Sequence, residues 1–259
     1  PSVLGSTAAR NRLEGQILDL VRRAGADGAH LNFETFETPS ATARAGYTSL
    51  ANSLRQKLRA YRSDAELTVF LPGFDYGESY DEVALARAAD YLVVQGYDMH
   101  WLTAPTAGPV APVTGWDGAS WEGITSRYVS LGVDPAKMVM AVPYFGYEWP
   151  TVSEIPGAAT RGEGVPITYA PVSETLLPLI RISATARLRD HQGRRDAVAG
   201  SPYYTRRDAT GWYQGWFEDA ESLRAKYRFV KSRGLGGVAV FLLGYDAGLL
   251  EPVLKDEFR

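Results

Sequence analysis

Residues 27–34 constrain the possible folds of this chain more than any other segment, because they have the pattern of a strand with three polar side chains on one face. Side chains alternate along a strand, so His30, Asn32 and Glu34 project together, and apolar residues between them face the other way. A solvated antiparallel sheet shows a similar face. Here one helix signal precedes the strand and another follows it, which favours a buried parallel strand, where three inward polar groups are costly. The segment therefore indicates a functional site.

Composition places the chain among globular proteins that bury a full core. At 259 residues and 45% hydrophobic content, it fits one domain of the barrel or doubly wound kind better than two small domains. The formal net charge of -3 comes from interspersed acidic and basic residues, with no basic stripe to bind nucleic acid. No apolar run approaches the roughly 20 residues that span a bilayer. We therefore expect neither nucleic acid nor a membrane span.

Cysteine and histidine usage restricts the chemistry. The chain has no cysteine and three histidines, which excludes disulfides, thiolate catalysis and zinc–cysteine sites and disfavours a histidine-built metal site. We expect no metal and no organic cofactor. Aromatic residues reach 12%, and their flat faces suit sugar rings as well as protein cores. Because the chain begins at Pro1, without an initiator methionine or a signal-peptide pattern, we expect a processed or truncated product.

Helix and strand signals alternate along most of the chain. Ser6 or Thr7 is a cap candidate for a first helix that Gly25 ends, and Thr38 and Pro39 are typical of the start of a second helix. Further helices are predicted over residues 83–89, 120–131 and 219–233, and apolar strands over residues 67–71, 91–97, 138–144 and 237–242. The alternation predicts an α/β fold with a parallel sheet and helices outside it.

One segment interrupts this alternation. Residues 150–215 are too long for an ordinary connection and carry their own Pro, Gly and Tyr turn signals. We interpret them as a small inserted α+β subdomain, which divides the chain into barrel residues 1–149, the insertion, and residues 216–259 with the last strand and its flanking helices. The polar triplet that ends at Glu34 and the pair Tyr97 and Asp98 lie at the carboxyl ends of strands, where parallel α/β folds collect their chemistry.

Five segments of the chain form an ordered pattern. Asp27, Gly28 and Glu34 fit the motif Asp-Gly-x-Asp-x-Asp-x-Glu, and Tyr97 and Asp98 form a Tyr-Asp pair at a later strand end. The three other segments are residues 142–149, 216–227 and 235–244. In this order and spacing, the segments resemble glycoside hydrolase family 18. They are similar to the fourth, sixth, seventh and eighth barrel strands of that family and to the segment that leads into its eighth strand. That family contains chitinases and peptidoglycan-cleaving N-acetylglucosaminidases.

The resemblance implies a TIM-type (β/α)8 barrel of which this chain supplies the fourth to eighth strands. The first three strand–helix units are missing here, so we expect about 90 further residues upstream or on a second chain, at about 30 per unit. Without them, sheet edges along residues 29–34 and 238–243 are open to pairing or aggregation. The resemblance also implies a secreted or cell-envelope protein that binds glycans containing N-acetylglucosamine.

The resemblance further implies a retaining hydrolase of chitin-like or peptidoglycan glycans, in which the 2-acetamido oxygen of the substrate attacks the sugar carbon. Glu34 would be the acid that protonates the leaving oxygen, kept protonated by an apolar, enclosed site. Asn32 would accept a hydrogen bond from the acetamido N–H, and Tyr97 would hydrogen-bond the acetamido carbonyl. Asp98 would bind hydroxyls of the same sugar.

Several aromatic side chains are candidates for stacking on sugar rings. Trp101, Tyr144 and Phe241 are assigned to substrate binding, and Tyr147 and Trp149 are weaker candidates. Each of them is also compatible with packing in the core or in a loop. Only Tyr144 and Phe241 have a position in the family pattern in their favour.

Three positions depart from the family pattern. His30 and Asn32 replace two aspartates of the motif, and Phe241 replaces a tryptophan of the last strand. Asn32 lacks the negative charge of the aspartate that it replaces. Charged hydrogen bonds contribute about 1.5–3 kcal/mol, against about 1 kcal/mol for neutral ones. We therefore expect an activity about one to two orders of magnitude below that of an aspartate-bearing version. His30, assigned to the substrate site, is either a hydrogen-bonded core histidine or a proton relay. A carbohydrate-binding pseudoenzyme and a structural role in a larger envelope assembly are the alternatives.

Overall fold

The computed structural model describes residues 3–34, 38–173 and 180–259. The chain forms two compact units. Unit 1 comprises Pro1–Gln95, Ser126–Met140 and Gly234–Gly237, and unit 2 comprises Gly96–Thr125, Ala141–Arg233 and Val238–Arg259. Within the described residues, no helix is both long enough and apolar enough to cross a membrane.

Helices and strands alternate over the first half of the chain. Within the described ranges the α-helices are α1 (Thr7–Ala24), α2 (Ala41–Tyr61), α3 (Glu82–Ala88), α4 (Trp121–Ser130), α5 (Ala184–Asp190), α6 (Ala220–Ser232) and α7 (Glu251–Glu257). The strands are β1 (Gly28–Leu31), β2 (Glu66–Leu71), β3 (Tyr91–Gln95), β4 (Met138–Pro143), β5 (Phe145–Thr151), β6 (Val165–Thr168), β7 (Ile182–Ser183), β8 (Gly193–Arg195), β9 (Pro202–Asp208), β10 (Gly211–Trp216) and β11 (Gly237–Phe241). Helices α3, α4 and α6 begin and end within one residue of their predicted bounds.

The ends of the first two helices follow from local side-chain chemistry. The Ser6 hydroxyl accepts a backbone N–H of the first turn of α1, and Gly25 ends that helix in the left-handed conformation that suits glycine. Both assignments confirm the sequence prediction. For α2 the prediction is wrong, because Ser40 and not Thr38 caps the helix. The Ser40 hydroxyl accepts the backbone N–H of Ala43 at 3.2 Å.

The first sheet has the parallel α/β character that the sequence predicts. Its strand order is β1-β2-β3-β4-β11, and β1 pairs with β2, and β2 with β3, in parallel. Strands β4 and β11 begin in unit 1 and end in unit 2. Among the described residues, β1 and β11 are the two edge strands of this sheet.

The strand that precedes the candidate acid is shorter than predicted. β1 ends at Leu31, opposite Val69 of β2, so Asn32 and Glu34 lie beyond the ladder of strand hydrogen bonds. His30, Asn32 and Glu34 are all exposed. This finding corrects the expectation of an enclosed polar face. The reason is that β1, at the edge of the sheet, is paired along one side only within the part of the chain that the structure describes.

The core of unit 1 lies between α2 and β2. Leu50, Leu54 and Leu58 recur every four residues along one face of α2 and are fully buried. Leu67 and Val69, at alternate positions of β2, are buried as well. Burial of such a side chain contributes about 1.5–3 kcal/mol. This packing fixes the strand from which the loop beside Glu34 emerges.

Unit 2 contains a second sheet, with the strand order β7-β6-β5-β10-β9-β8. Its strands are formed by residues 150–215, the segment that the sequence analysis interprets as an insertion, and by residues just before and just after that segment. Strands β5 and β10 are antiparallel, with Tyr147 opposite Trp216. Trp149 and Trp216 are fully buried and belong to one aromatic cluster with Phe145 and Tyr147. This cluster is the main core of the sheet.

Candidate active site

Glu34 lies just beyond the end of β1. The side-chain amide of Asn32 donates a hydrogen bond to it, with 3.1 Å between Nδ2 and Oε1. The spacing of two residues therefore places both side chains together, as the sequence predicts. Because both are exposed, the Glu34 carboxyl group is accessible to a substrate.

His30 belongs to β1 itself. Its Nδ1 lies 2.8 Å from Oγ1 of Thr68, the residue opposite it in β2. Atoms packed around the ring desolvate the imidazole and lower the pKa of His30 below its usual 6.5, although much of the side chain is exposed. A neutral ring that is tied to Thr68 fits a structural hydrogen bond better than a proton relay.

Two tyrosine hydroxyls hold the backbone that leads to Glu34. Tyr47 of α2 donates to the carbonyl oxygen of Leu31 at 3.3 Å, and Tyr80 donates to that of Phe33 at 2.6 Å. The rings of Tyr47 and Phe33 lie 5.2 Å apart, and those of Tyr47 and Tyr80 lie 6.0 Å apart. At the last residue of β1 and just beyond it, these hydroxyls satisfy backbone carbonyl groups.

Glu34 lines a cavity of about 300 Å³ within unit 1. The wall also includes Phe74, Asp75 and Tyr76 from the loop after β2, and Gln95 from the end of β3. The volume is at the lower end of the range for small-molecule sites, so the cavity has the size of one sugar ring. Its aromatic and polar side chains are the kinds of group that bind carbohydrate.

The sequence did not single out the loop after β2, although it supplies three groups near Glu34. Phe74 and Tyr76 line the cavity, and Tyr80 holds Phe33. A signal was present, because two aromatic residues flank an aspartate directly after a strand end, at the edge of a parallel sheet where ligands bind.

Unit 2 brings Tyr97 and Phe241 together. Their rings stack with centroids 5.6 Å apart and planes 23° apart, and Phe145 meets both rings edge-on, at 5.5 Å and 6.1 Å. Phe241 is 45% exposed, so it presents a ring surface to solvent. The peptide bond between Phe241 and Leu242 is cis.

Asp98 has a strained backbone and a defined partner. Its φ of 65° is a left-handed conformation, which costs a residue other than glycine about 1–3 kcal/mol and is enriched at functional sites. The Tyr147 hydroxyl donates to its Oδ1 at 2.9 Å. Burial and the charge of Asp98 raise the pKa of Tyr147 above its usual 10, so Tyr147 stays a neutral donor. The Asp98 carboxylate is thereby fixed in position.

Two predicted stacking residues differ in their surroundings. Tyr144 is 3% exposed, and its hydroxyl shares a 3.2 Å hydrogen bond with that of Tyr227. It is a core residue, which corrects the expectation of a sugar-stacking face. Trp101 is 48% exposed, and its backbone carbonyl accepts a hydrogen bond from Nε1 of the buried Trp149 at 3.0 Å. Of the two, only Trp101 presents its ring to solvent.

The side chains of the candidate site provide carboxyl, amide and phenol groups and aromatic faces. Within the described ranges, no group of three or more His, Asp or Glu side chains could hold a metal ion. Carboxyl and phenol groups transfer or share protons with sugar hydroxyls and amides. Aromatic faces offer apolar contact area.

Residues 1–246 match the family model described as glycosyl hydrolases family 18. This chain belongs to glycosyl hydrolase family 18. The match confirms the resemblance that the five segments carry, and it includes Glu34 in unit 1 and Tyr97, Asp98 and Phe241 in unit 2.

Two curated relatives are similar along most of this chain. The di-N-acetylchitobiase of Mus musculus is 24% identical over 241 residues, which cover 87% of this chain and 63% of that protein. The cortical fragment-lytic enzyme of Bacillus anthracis is 23% identical over 249 residues, which cover 93% of this chain and 52% of that protein. The chain thus spans between about half and just under two thirds of the length of these relatives.

Solved structures of similar proteins share the fold. A chitinase from Cycas revoluta in complex with (GlcNAc)4 has a TM-score of 0.84 at 18% identity, over 99% of this chain and 75% of that chain. A chitinase-like agglutinin from Robinia pseudoacacia has a TM-score of 0.80 at 19% identity, over the same shares of the two chains. At these identities the likeness concerns the fold alone.

Proposed function

We propose that this chain is a glycosidase that cleaves β-linked N-acetylglucosamine glycans, either chitin-like or peptidoglycan. The observation that carries the proposal is Glu34, a carboxylic acid kept at the end of β1 in the wall of a cavity of one-sugar size. The names of the two curated relatives, a di-N-acetylchitobiase and a cortical fragment-lytic enzyme, support it.

In the proposed mechanism the substrate supplies the nucleophile. The 2-acetamido carbonyl oxygen bonds to the anomeric carbon as the bond from that carbon to the leaving oxygen breaks, and Glu34 gives its proton to the leaving oxygen. Water then attacks the same carbon of the cyclic oxazolinium as the bond from that carbon to the acetamido oxygen breaks, and the Glu34 carboxylate takes up one proton of the water. Two inversions at one carbon retain the β configuration.

Asn32 is proposed to accept the substrate acetamido N–H. Its Nδ2 donates to Glu34, so its carbonyl oxygen serves as the acceptor. A neutral acceptor offsets less of the positive charge on the oxazolinium than a carboxylate does. The expected loss of about one to two orders of magnitude in rate corresponds to about 1.4–2.7 kcal/mol. His30, tied to Thr68, is proposed to shape the substrate side of β1.

Roles are proposed for four residues of unit 2 as well. The Tyr97 hydroxyl donates to the acetamido oxygen as that oxygen attacks, and Asp98 accepts hydrogen bonds from hydroxyls of the same sugar. Phe241 and Trp101 offer ring faces to neighbouring sugars. The stacking of Tyr97 on Phe241 and the fixed carboxylate of Asp98 support these roles.

We propose that strands from outside residues 1–259 complete a (β/α)8 barrel by pairing with β1 and β11. The support is that these are the edge strands of the first sheet among the described residues, and unpaired edges promote association. In analytical ultracentrifugation we expect the 259-residue chain alone to self-associate, and a stable folded monomer would contradict this proposal. Secretion, or attachment to the cell envelope, is the proposed location.

A second candidate function is glycan binding without cleavage. Two observations favour it: His30 and Asn32 stand where the family motif has aspartates, and a chitinase-like agglutinin shares the fold. Such a protein would keep the cavity and the exposed aromatic rings and would lack turnover.

A single assay separates the two functions. The chain is incubated with N-acetylglucosamine oligomers and with purified peptidoglycan, and new reducing ends are measured. We expect cleavage, with the β anomer as the first product in the proton NMR spectrum. Binding without new reducing ends favours the second function, and an α anomer as first product contradicts the substrate-assisted mechanism.

A further inference from the structure

The loop after β2 carries an exposed aromatic pair beside Glu34. We define residues 72–81 as the β2 loop. In it, the rings of Phe74 and Tyr76 stack with centroids 5.9 Å apart and planes 19° apart. Tyr76 is 90% exposed, so nearly all of its surface, including a ring face, meets solvent. Phe74, Tyr76 and Glu34 line one cavity.

The β2 loop is held in one shape by hydrogen bonds. The Asp75 carboxylate accepts two backbone N–H groups of the loop, both at 2.9 Å, and Arg44 of α2 donates to the Tyr80 carbonyl oxygen at 2.5 Å. The Tyr80 hydroxyl in turn donates to Phe33, next to Glu34. The backbone that carries the aromatic pair is therefore held near the acid, which reduces the backbone entropy that is lost when a ligand binds there.

This surface matches the chemistry of a pyranose ring. The C–H groups on one face of a sugar pack on an aromatic ring, and the hydroxyl and acetamido groups at the edge of the sugar need polar partners. Asp75 and Gln95 line the same cavity as the aromatic pair. A cavity of about 300 Å³ is at the lower end of the range for small-molecule sites. One sugar of a glycan chain is the occupant that fits.

We propose that Tyr76, with Phe74 beside it, is the platform of a saccharide subsite for a sugar beyond the two that flank the glycosidic bond whose oxygen Glu34 protonates. The inference rests on the proposed function and deepens it, because it assigns to the β2 loop a preference for longer oligomers. Oligomers that reach the platform gain the stacking contact, whereas the shortest oligomers do not.

Binding measurements on a length series of oligomers test the subsite. The Glu34→Gln variant serves as the background, so that chitobiose to chitohexaose bind without cleavage, and the dissociation constants are measured by isothermal titration calorimetry. Into this background we place Tyr76→Ala, Tyr76→Phe, Phe74→Ala and the control Tyr61→Ala, which removes an exposed tyrosine of α2 outside the cavity. Thermal unfolding of each variant checks that it folds.

The expected result is specific to length. Tyr76→Ala should weaken the binding of the longer oligomers about tenfold and that of chitobiose less than about twofold, because an aromatic contact contributes about 1 kcal/mol or more. Tyr76→Phe and Tyr61→Ala should stay within about twofold of the background. Equal affinities for Tyr76→Ala and the background at every length would overturn the subsite and leave the proposed function intact. Absence of binding and cleavage by the unmodified chain would overturn the proposed function, and the subsite with it.

Discussion

The hydroxyl of Tyr80 donates a 2.6 Å hydrogen bond to the backbone carbonyl of Phe33, the residue before Glu34. This distance is at the short end of the usual range for O–H···O bonds. Tyr80 belongs to the β2 loop, and the bond ties that loop to the segment beyond β1. The position of Glu34, the candidate acid, thus depends on Tyr80, to which we assign no role in proton transfer.

Tyr80→Phe should lower kcat more than it changes KM. Loss of the hydroxyl leaves the Phe33 carbonyl without this donor and loosens the backbone next to Glu34, and small displacements of a catalytic group are costly. We expect kcat on N-acetylglucosamine oligomers to fall about tenfold, and the free energy of unfolding to fall by about 0.5–1.5 kcal/mol. Tyr47→Phe, which removes the longer bond to Leu31, should have a smaller effect. An unchanged kcat for Tyr80→Phe would argue against positioning by this bond.

Asn32→Asp should raise turnover. The variant restores a negative charge next to the developing oxazolinium, and oriented charge at a reacting centre is a large catalytic effect. We expect kcat to rise about ten- to a hundredfold, measured as reducing ends released from chitin oligomers. Asn52→Asp adds the same charge at an exposed position of α2 and should leave kcat unchanged. If Asn32→Asp is slower than the unmodified chain, the amide is an adapted residue.

Asp90 links stability to pH in unit 1. Its carboxylate accepts hydrogen bonds from Arg55 at 2.7 Å, Arg59 at 2.9 Å and the backbone N–H of Leu67 at 2.8 Å. Burial alone would raise the pKa of Asp90, but these partners outweigh it and lower the pKa from 3.8 to about 2. Because the folded pKa lies below the unfolded value, the carboxylate stabilises the fold above about pH 4, and this stabilisation is lost as the pH falls towards 2.

The Asp90→Asn variant tests this dependence. We expect it to unfold at lower urea concentration than the unmodified chain at about pH 6, with the difference shrinking between about pH 4 and pH 2. Urea unfolding followed by circular dichroism at several pH values measures the difference. A difference in unfolding urea concentration between the two proteins that stays constant with pH would contradict the lowered pKa of Asp90.

Glu148 should be a stability determinant of unit 2. It is 2% exposed and accepts hydrogen bonds from Arg187 at 3.1 Å, Arg206 at 2.9 Å and Tyr204 at 2.8 Å. Glu148→Gln leaves two guanidinium groups without this counter-charge, so we expect a loss of about 3–5 kcal/mol in the free energy of unfolding. The control Glu154→Gln removes an exposed ion-paired carboxylate and should cost less than about 1 kcal/mol. Equal losses of unfolding free energy in Glu148→Gln and Glu154→Gln would contradict the role of Glu148 as a stability determinant.

The sequence predicted the fold best where the local pattern reflects the environment. Strands β2 and β3 lie within one or two residues of their predicted bounds, because buried parallel strands are nearly continuous apolar runs. The prediction failed at β1, which has four residues where eight were expected. β1 leaves the ladder opposite Val69 although β2 continues to Leu71, and the residues of β1 do not encode where this pairing ends. Asn32 and Glu34 are exposed for the same reason.

The candidate site was predictable to the extent that it follows a motif. Glu34 and Tyr97 come from motif positions, and their assigned roles stay predictions. Tyr76 and Tyr80 lie in a loop without periodicity, and their contacts form only in three dimensions. Tyr144 was expected to stack on a sugar, but it is buried and its hydroxyl meets that of Tyr227 of α6, a contact that no local pattern reveals.

The most direct test of the proposed function compares the release of new reducing ends from N-acetylglucosamine oligomers and peptidoglycan by the unmodified chain and by Glu34→Gln. The amide has nearly the shape of the protonated acid but cannot transfer a proton, so we expect cleavage to fall by about two to four orders of magnitude, with oligomer binding largely kept. Glu66→Gln, at the exposed start of β2, is the matched control and should cleave normally. Equal rates of cleavage by Glu34→Gln and the unmodified chain would contradict the assignment of Glu34 as the acid.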